Sequence, residues 1–314
     1  MKKIIPALIL LLGVTWLATQ SPSVGLWVYD QTAKLEAQWY GFSKRTVKLD
    51  ELELVLYERQ AEVAAGEQAP TLVLLHGYTA SKELWLRFAN HLDAGYRVLI
   101  PDLAGHGETG YQPEWSYRAT AQADRIAALL QALQIDQAIV AGNSMGGMIA
   151  AHFALQYPAQ TQALIVLDPA GITPPQLSET EALFAAGQSP FEIANIDQFM
   201  RFYHLTMAQP PFAPEFVLRG VAERYIERRG AYAHIAQDFR LHDSLDERLP
   251  QISAPTLIIW GERDRILSAS AAPLWQQGIA ASELLLLPEI GHMPMVEQPA
   301  ITAAQVEAFL ARRL

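Results

Sequence analysis

Cysteine is absent from the 314 residues. Disulfides, thiolate metal sites and a cysteine-linked lipid anchor are excluded, and the chain tolerates an oxidising compartment without requiring one. Charged residues make up only 18% of the chain, and 33 acidic residues outnumber 23 basic ones. With a net charge of -10 and no basic stripe, the sequence offers no electrostatic reason to bind nucleic acid. It contains no H-E-x-x-H, no acidic loop of calcium-binding spacing and no G-x-G-x-x-G. No metal and no cofactor are therefore expected. Internal repeats and low-complexity stretches are missing as well.

Charge is unevenly spread along the chain. Residues 1–45 hold five basic residues (Lys2, Lys3, Lys34, Lys44 and Arg45) against Asp30 and Glu36, a net +3, which leaves -13 for the rest. Lys2 and Lys3 precede an uncharged run from Ile4 to Val28, and about 20 apolar residues suffice to cross a bilayer. Trp16, Trp27 and Tyr29 are aromatics of the kind that favour membrane interfaces. Ala18-Thr19-Gln20 is a poor signal-cleavage site. A retained inner-membrane anchor is expected, single-pass, with the body on the periplasmic side by the positive-inside rule. Export after signal cleavage is the alternative.

Hydrophobic residues at 51% are ample for a large core, and the length suits one α/β domain with an insertion. Thr46–Asp50 and Leu52–Glu58 alternate apolar and polar residues, as a half-exposed hairpin would. Short continuous apolar runs follow at Thr71–Leu75, Arg97–Ile100, Ala138–Ala141, Ala163–Leu167, Thr256–Trp260 and Glu283–Leu287. Such runs mark strands buried on both faces. Helical stretches separate them: Ala119, Ala123, Ile126, Leu130 and Leu133 recur at helical spacing, and Val306, Phe309 and Leu310 share a face of the last helix. The pattern predicts a mostly parallel eight-stranded sheet flanked by helices, with ligands at the carboxyl ends of its strands.

One gap breaks this rhythm. Between Asp168 and Thr256 no buried strand is visible, with Pro174-Pro175 at one end and Pro250 at the other. Leu218, Val221, Ala222 and Tyr225 lie on one face of a predicted helix there, opposite Glu223, Arg224, Glu227 and Arg228. Phe184, Phe191, Phe199, Phe202, Tyr203, Met207, Phe212 and Phe216 add apolar mass. A helical cap inserted after the sixth strand is expected, serving both as its own small core and as a hydrophobic pocket. The domains are then residues 1–45 (anchor and juxtamembrane helix), 46–171 with 251–314 (core), and 172–250 (cap).

The run from Ala138 ends in Gly142-Asn143-Ser144-Met145-Gly146, followed by helix-forming residues from Met148. A strand that breaks at G-x-S-x-G and turns into a helix forms a nucleophile elbow, with the serine hydroxyl exposed above the sheet edge. Ser144 is the candidate nucleophile. Such a hydroxyl needs a base and a third group to hold that base. Among eight histidines, His292 stands in the loop between the last strand and the last helix and is the candidate base. His76 and His106 also sit at strand ends and compete on position, although the glycine after each reads more naturally as loop geometry. Asp264 follows the strand Thr256–Trp260 and is the candidate acid. Asp168 keeps the same chain order and is the alternative. Oxyanion donors are expected from the N–H groups of Met145 and Tyr78, with His76, Gly77 and Asn143 assigned to substrate binding.

The landmarks His76-Gly77, Asp102 to Gly107, Gly142 to Gly146, Asp264 and His292 resemble those of the α/β-hydrolase superfamily, from about residue 46 to the C-terminus. Glu108-Thr109 departs from that pattern, since relatives often carry a serine there. With an anchor and a cap, the chain is similar to membrane-attached monoacylglycerol lipases and bacterial lipases and phospholipases. The resemblance implies a serine carboxylic-ester hydrolase acting on monoacylglycerol, lysophospholipid or phospholipid esters. The alternative is a carbon–carbon bond hydrolase of aromatic-ring cleavage products, which resembles the chain at Asn143 to Gly147. A binding protein on a hydrolase scaffold is the third reading. Expected partners are an acyl-ester substrate and the membrane, with a homodimer left open.

Overall fold

The structure is a computed structural model that describes residues 21–64 and 68–314. The alternating segment forms an antiparallel hairpin of β1 (Ser43–Lys48) and β2 (Glu53–Arg59), with Ser43 opposite Glu58. The continuous apolar runs become β3 (Thr71–Leu75), β4 (Arg97–Pro101), β5 (Ala138–Asn143), β6 (Thr161–Leu167), β7 (Thr256–Gly261) and β8 (Ser282–Leu287). All eight form one sheet in the order β1-β2-β4-β3-β5-β6-β7-β8. From β4 onward the neighbours are parallel, while β2 runs antiparallel to β1 and β4.

Alternate residues of the buried strands feed two cores. Val73, Leu75, Val140, Leu164 and Val166 pack with Ile126, Ile149 and Phe153 on one face. Leu72, Leu74, Ile139 and Ile165 pack with Trp85, Phe88, Val306 and Phe309 on the other. The period of two in a strand sends neighbouring side chains to opposite faces, so both faces need apolar residues. Strand order reverses between β3 and β5, and the loops leaving their carboxyl ends form the crevice in which ligands collect.

The insertion after β6 is helical. Its helices are Glu179–Ala185, Ile196–Thr206 and Glu215–Leu241. Ser178 and Glu181 form a capping box at the start of the first, and Asn195 caps the second. Ile193, Phe199, Phe202 and Ala222 form the insert's own buried cluster. The face of the long helix that carries Glu223, Arg224, Glu227 and Arg228 is only partly exposed. Arg224 reaches Asp30 of an N-terminal helix, and Arg228 donates to the Gly107 carbonyl. That helix lies between the N-terminal helix and the core, which the local pattern could not reveal.

The N-terminal helix, Pro22–Trp39, packs along Glu215–Leu241 at backbone contact. A Cβ on Gly25 would lie 1.9 Å from the Phe216 carbonyl oxygen, and one on Gly220 would lie 2.1 Å from the Leu26 nitrogen. The expected anchor, Ile4–Val28, lies outside the described residues up to Gln20. Its last part, Val24–Val28, belongs to this helix on the cap. Among the described residues no helix is long and apolar enough to cross a membrane, because Asp30, Lys34 and Glu36 follow at once.

Candidate active site

Ser144 joins β5 to the helix Met145–Gln156 with φ 58°, in the left-handed region that a side chain rarely occupies. Its neighbours make this turn feasible. A Cβ on Gly142 would lie 2.1 Å from the Gly146 carbonyl oxygen, and one on Gly146 would lie 2.3 Å from that of Leu75. Glycine is what lets strand, turn and helix pack this closely. The Ser144 N–H donates to Leu167 of β6 at 3.0 Å, and the Ser144 carbonyl accepts from Met148 and Ala170. The strain at Ser144 is therefore held by bonds on both sides of the turn.

His292 stands in the loop after β8. Its Nδ1 lies 2.7 Å from Oδ2 of Asp264, which follows β7. The other oxygen, Oδ1, accepts the Ile266 and Leu267 N–H groups at 2.7 and 3.0 Å. The hydrogen-bond network thus assigns the imidazole proton to Nδ1 and leaves Nε2 as the acceptor. The backbone of His292 is fixed as well. Its carbonyl accepts from the Asn143 side chain at 2.9 Å, and its N–H donates to Thr206 at 3.0 Å. Ser144, Asn143 and His292 line one cavity.

Asp168, the alternative acid, is fully buried at the end of β6, with φ 44°. Asp168, Asp264 and His292 bring polar atoms within 4.8 Å of one another. Oδ1 of Asp168 accepts the Gly261 N–H at 2.8 Å, and among the described residues Oδ2 has no hydrogen-bond partner. Burial, and then the neighbouring Asp264 carboxylate, push the Asp168 carboxyl well above the usual carboxylate range. Two adjacent carboxyls in a dry site cannot both ionise readily, and the one bonded to His292 is Asp264. Within the trio His292 and Asp264 are bonded to each other, and Asp168 lies beside them.

The loop after β3 closes the site from the other side. A Cβ on Gly77 would lie 3.2 Å from the Ser144 Cβ, so the loop passes directly over Ser144. Gly77 and Tyr78 line the cavity, and the Tyr78 hydroxyl donates to the Tyr232 carbonyl of the cap at 2.7 Å. His76 is a correction to the sequence reading. It is fully buried, its Nε2 accepts the Leu103 N–H at 3.0 Å, and its Nδ1 bonds to the Gly77 carbonyl at 2.8 Å. Both ring nitrogens are engaged in shaping the loop, which takes His76 out of the substrate-binding set. Burial holds its pKa down at about 4. His106 is fully buried beside it, ring centroids 5.2 Å apart, and burial together with His76 holds it at about 3. Neither has the position or the basicity of a general base at neutral pH.

An ionic cluster escaped the sequence reading. Lys82 is buried and places Nζ 2.6 Å from Asp102 and 2.9 Å from Glu108. Asp102 also accepts the Lys82 and Glu108 N–H groups, at 2.9 and 2.8 Å. It thereby staples the loop after β3 to the loop after β4. Burial disfavours the ammonium, but Asp102, Glu83 and Glu108 outweigh it and hold the Lys82 pKa above its ordinary value. Glu108, the residue that departs from the family pattern, closes this cluster and also pairs with Lys44 at 2.8 Å. The local signal was the pair Lys82-Glu83 after an uncharged stretch over residues 77–81.

The cavity over Ser144 and His292 measures about 1250 Å³. Phe184, Phe191, Phe199, Phe202 and Met207 line an apolar part of it. Phe199 and Phe202 also belong to the insert's own core, so these aromatics serve both purposes. The N-terminal helix contributes Val28, Tyr29 and Thr32 to the wall, a role without local signature.

The family model for the alpha/beta hydrolase fold matches residues 70–299. Lipase 1 of Psychrobacter immobilis is 30% identical over 275 residues, 86% of each chain. The human monoacylglycerol lipase ABHD6 is 26% identical over 254 residues, covering 77% of this chain and 75% of its own. The crystal structure of a membrane phospholipase A, described as a bacterial virulence factor, is 33% identical, with TM-score 0.87 over 99% of both chains. Sheet order, strained serine turn, helical insert and sequence match agree, and the chain belongs to the α/β-hydrolase fold family.

Proposed function

We propose that the protein hydrolyses carboxylic esters of lipids through an acyl-enzyme on Ser144. The observation that carries this reading is the shared cavity: the strained serine and the Asp264-bonded His292 face the same apolar chamber. Ser144 Oγ attacks the ester carbonyl while His292 Nε2 takes its proton. The tetrahedral oxyanion is stabilised by the Met145 N–H, at the start of the helix after the nucleophile, and by the Tyr78 N–H. The C–O bond then breaks, and His292 returns the proton to the leaving alkoxide. Water, deprotonated by His292, attacks the acyl-enzyme, which releases the fatty acid and restores Ser144.

The aromatic part of the chamber suits an acyl chain, which gains roughly 0.8 kcal/mol per buried CH₂. Relatives at 26–30% identity are named lipases, so carbon–carbon bond hydrolysis is the less supported alternative. Membrane association fits the lipid substrate, the resemblance to a membrane phospholipase A, and the exposed Trp39 and Phe212. Lys2, Lys3 and the apolar run after them act as the anchor, with the body extracytoplasmic. Protease access in intact and broken spheroplasts tests that topology.

The central test is labelling by a fluorophosphonate probe, combined with an ester panel on the detergent-solubilised protein. Label on Ser144, lost in Ser144→Ala, together with monoacylglycerol or phospholipid turnover, is the expected result. Absence of label beside labelled control hydrolases sinks the serine mechanism. Label with turnover of a ring-cleavage dienoate alone transfers the site to the alternative reaction.

A further inference from the structure

The cavity has a charged wall as well as an aromatic one, and its cations are not equivalent. Arg224 pairs with Asp30 at 2.6 Å, Arg87 with Glu36 at 2.8 Å, and Lys44 with Glu108 at 2.8 Å. Lys82 is held by Asp102, Glu83 and Glu108, and Lys34 is exposed on the N-terminal helix. Arg228 differs. It is half-buried and lines the cavity, yet among the described residues it forms no ion pair with a carboxylate. Its Nη2 donates to the Gly107 carbonyl at 3.0 Å, and it bonds to the Tyr232 side chain.

A guanidinium carries five N–H donors, so these two contacts leave others free of a protein partner on a residue that lines the cavity. An anionic ligand there would supply the counter-ion that Arg228 lacks.

Placement connects this cation to the nucleophile. Gly77 passes over Ser144, and the adjacent Tyr78 ring touches Phe191 (centroids 5.3 Å) and Tyr232 (5.9 Å). His106, next to Gly107, packs on Tyr78 and Tyr232. Tyr78 therefore has Phe191 and Tyr232 as ring neighbours, and Arg228, beside Tyr232, lines the same cavity as Ser144. A glycerophospholipid carries groups for both kinds of wall: an acyl chain on one side of the scissile ester, and a phosphodiester a few bonds away on the other. Arginine binds phosphate oxygens through its fork of parallel donors.

We propose that Arg228 is a specificity residue that binds the phosphodiester of a glycerophospholipid while its ester carbonyl lies at Ser144. This rests on the lipid-ester reading above and names its substrate class, a phosphate-bearing lipid in preference to a neutral glyceride.

The test uses the full chain in detergent micelles with two substrates that differ only in the head group, 1-oleoyl lysophosphatidylglycerol and 1-oleoylglycerol. Arg228→Gln is expected to lower the ratio of their kcat/KM values at least tenfold, chiefly by raising KM for the lysophospholipid. Arg228→Lys keeps the charge without the fork and recovers part of the ratio. It also serves as the second variant if Arg228→Gln fails to fold, as judged by its melting temperature. An equal fall for both substrates makes Arg228 a support for the Gly107 loop and overturns the proposal. An unchanged ratio overturns it too, including the case in which inhibition by oleate weakens and the arginine binds the product carboxylate. Wild type that is labelled at Ser144 yet hydrolyses neither lipid defeats the lipid-ester reading itself, a distinct outcome.

Discussion

Nδ1 of His292 lies 2.7 Å from Oδ2 of Asp264, while Asp168, buried within the same cluster, bonds instead to the Gly261 N–H. Two acids that keep the same chain order are thus separated by what each touches. Asp264→Asn is expected to lower kcat by about 10⁴-fold, because an amide favours the wrong imidazole tautomer. Asp168→Asn keeps the Gly261 bond and is expected to retain kcat within a few-fold. Ester kinetics on folded variants decide this, and the reverse pattern would make Asp168 the orienting acid.

Asp168 also carries a stability signature. Its folded-state pKa is raised by burial and by Asp264, so its contribution is fully present below the unfolded-state value and is lost as pH rises. Asp168→Asn removes that loss. The variant is expected to melt higher than wild type at pH 8, with the gap closing toward pH 4. A gap that is constant with pH would show that Asp168 is ionised in the folded protein.

His76 and His106 act in the opposite sense. Their folded values, about 4 and about 3, are depressed by burial. Below the ordinary histidine range the unfolded chain binds protons that the native one refuses, so stability is full at neutral pH and falls with acid. For His106, pH 5 costs roughly 2 kcal/mol at about 1.4 kcal/mol per pH unit. Urea titrations of wild type and His106→Gln at pH 7.5 and 5 should show wild type losing more by about that amount. Parallel losses would contradict a buried neutral His106.

Lys82 is buried against Asp102. Removing one partner of such a pair leaves an uncompensated charge, so Lys82→Met is expected to cost about 3–5 kcal/mol. Adding Asp102→Asn should restore part of this, since the stranded charge disappears while the amide oxygen still accepts one of the two backbone N–H groups. A double variant no more stable than Lys82→Met would mean that the pair is not what holds the loops together.

Gly25 and Gly220 bring two helix backbones into contact. Gly25→Val places a side chain where Phe216 stands and should lift the helix Pro22–Trp39 from the cap. Hydrogen exchange is expected to speed up over residues 24–38 while β3 to β7 keep their protection. Because Val28 and Tyr29 line the cavity, the variant should also lose activity on long acyl chains before short ones. Unchanged exchange in the helix would argue that its seat on the cap contributes little.

The sequence by itself determined the sheet and the strand-to-helix turn that holds Ser144. Strands buried on both faces need continuous apolar runs, and a strand-to-helix turn at Ser144 needs glycine two residues before and after, so both are written locally. One cap helix was legible for the same reason, through the apolar face of Glu215–Leu241. Contacts between distant segments were not. His76 looked like a ligand contact until its two ring nitrogens met Leu103 and Gly77. Asp264 and Asp168 differ by which of them reaches His292, a matter of how β6, β7 and β8 lie side by side. Arg228 was legible only as part of the charged face of a helix, because nothing within a few residues of it places the helix under Pro22–Trp39 and over Gly107. Local pattern fixes which side chains a segment buries, and only the packing of segments far apart in the chain decides which polar groups meet.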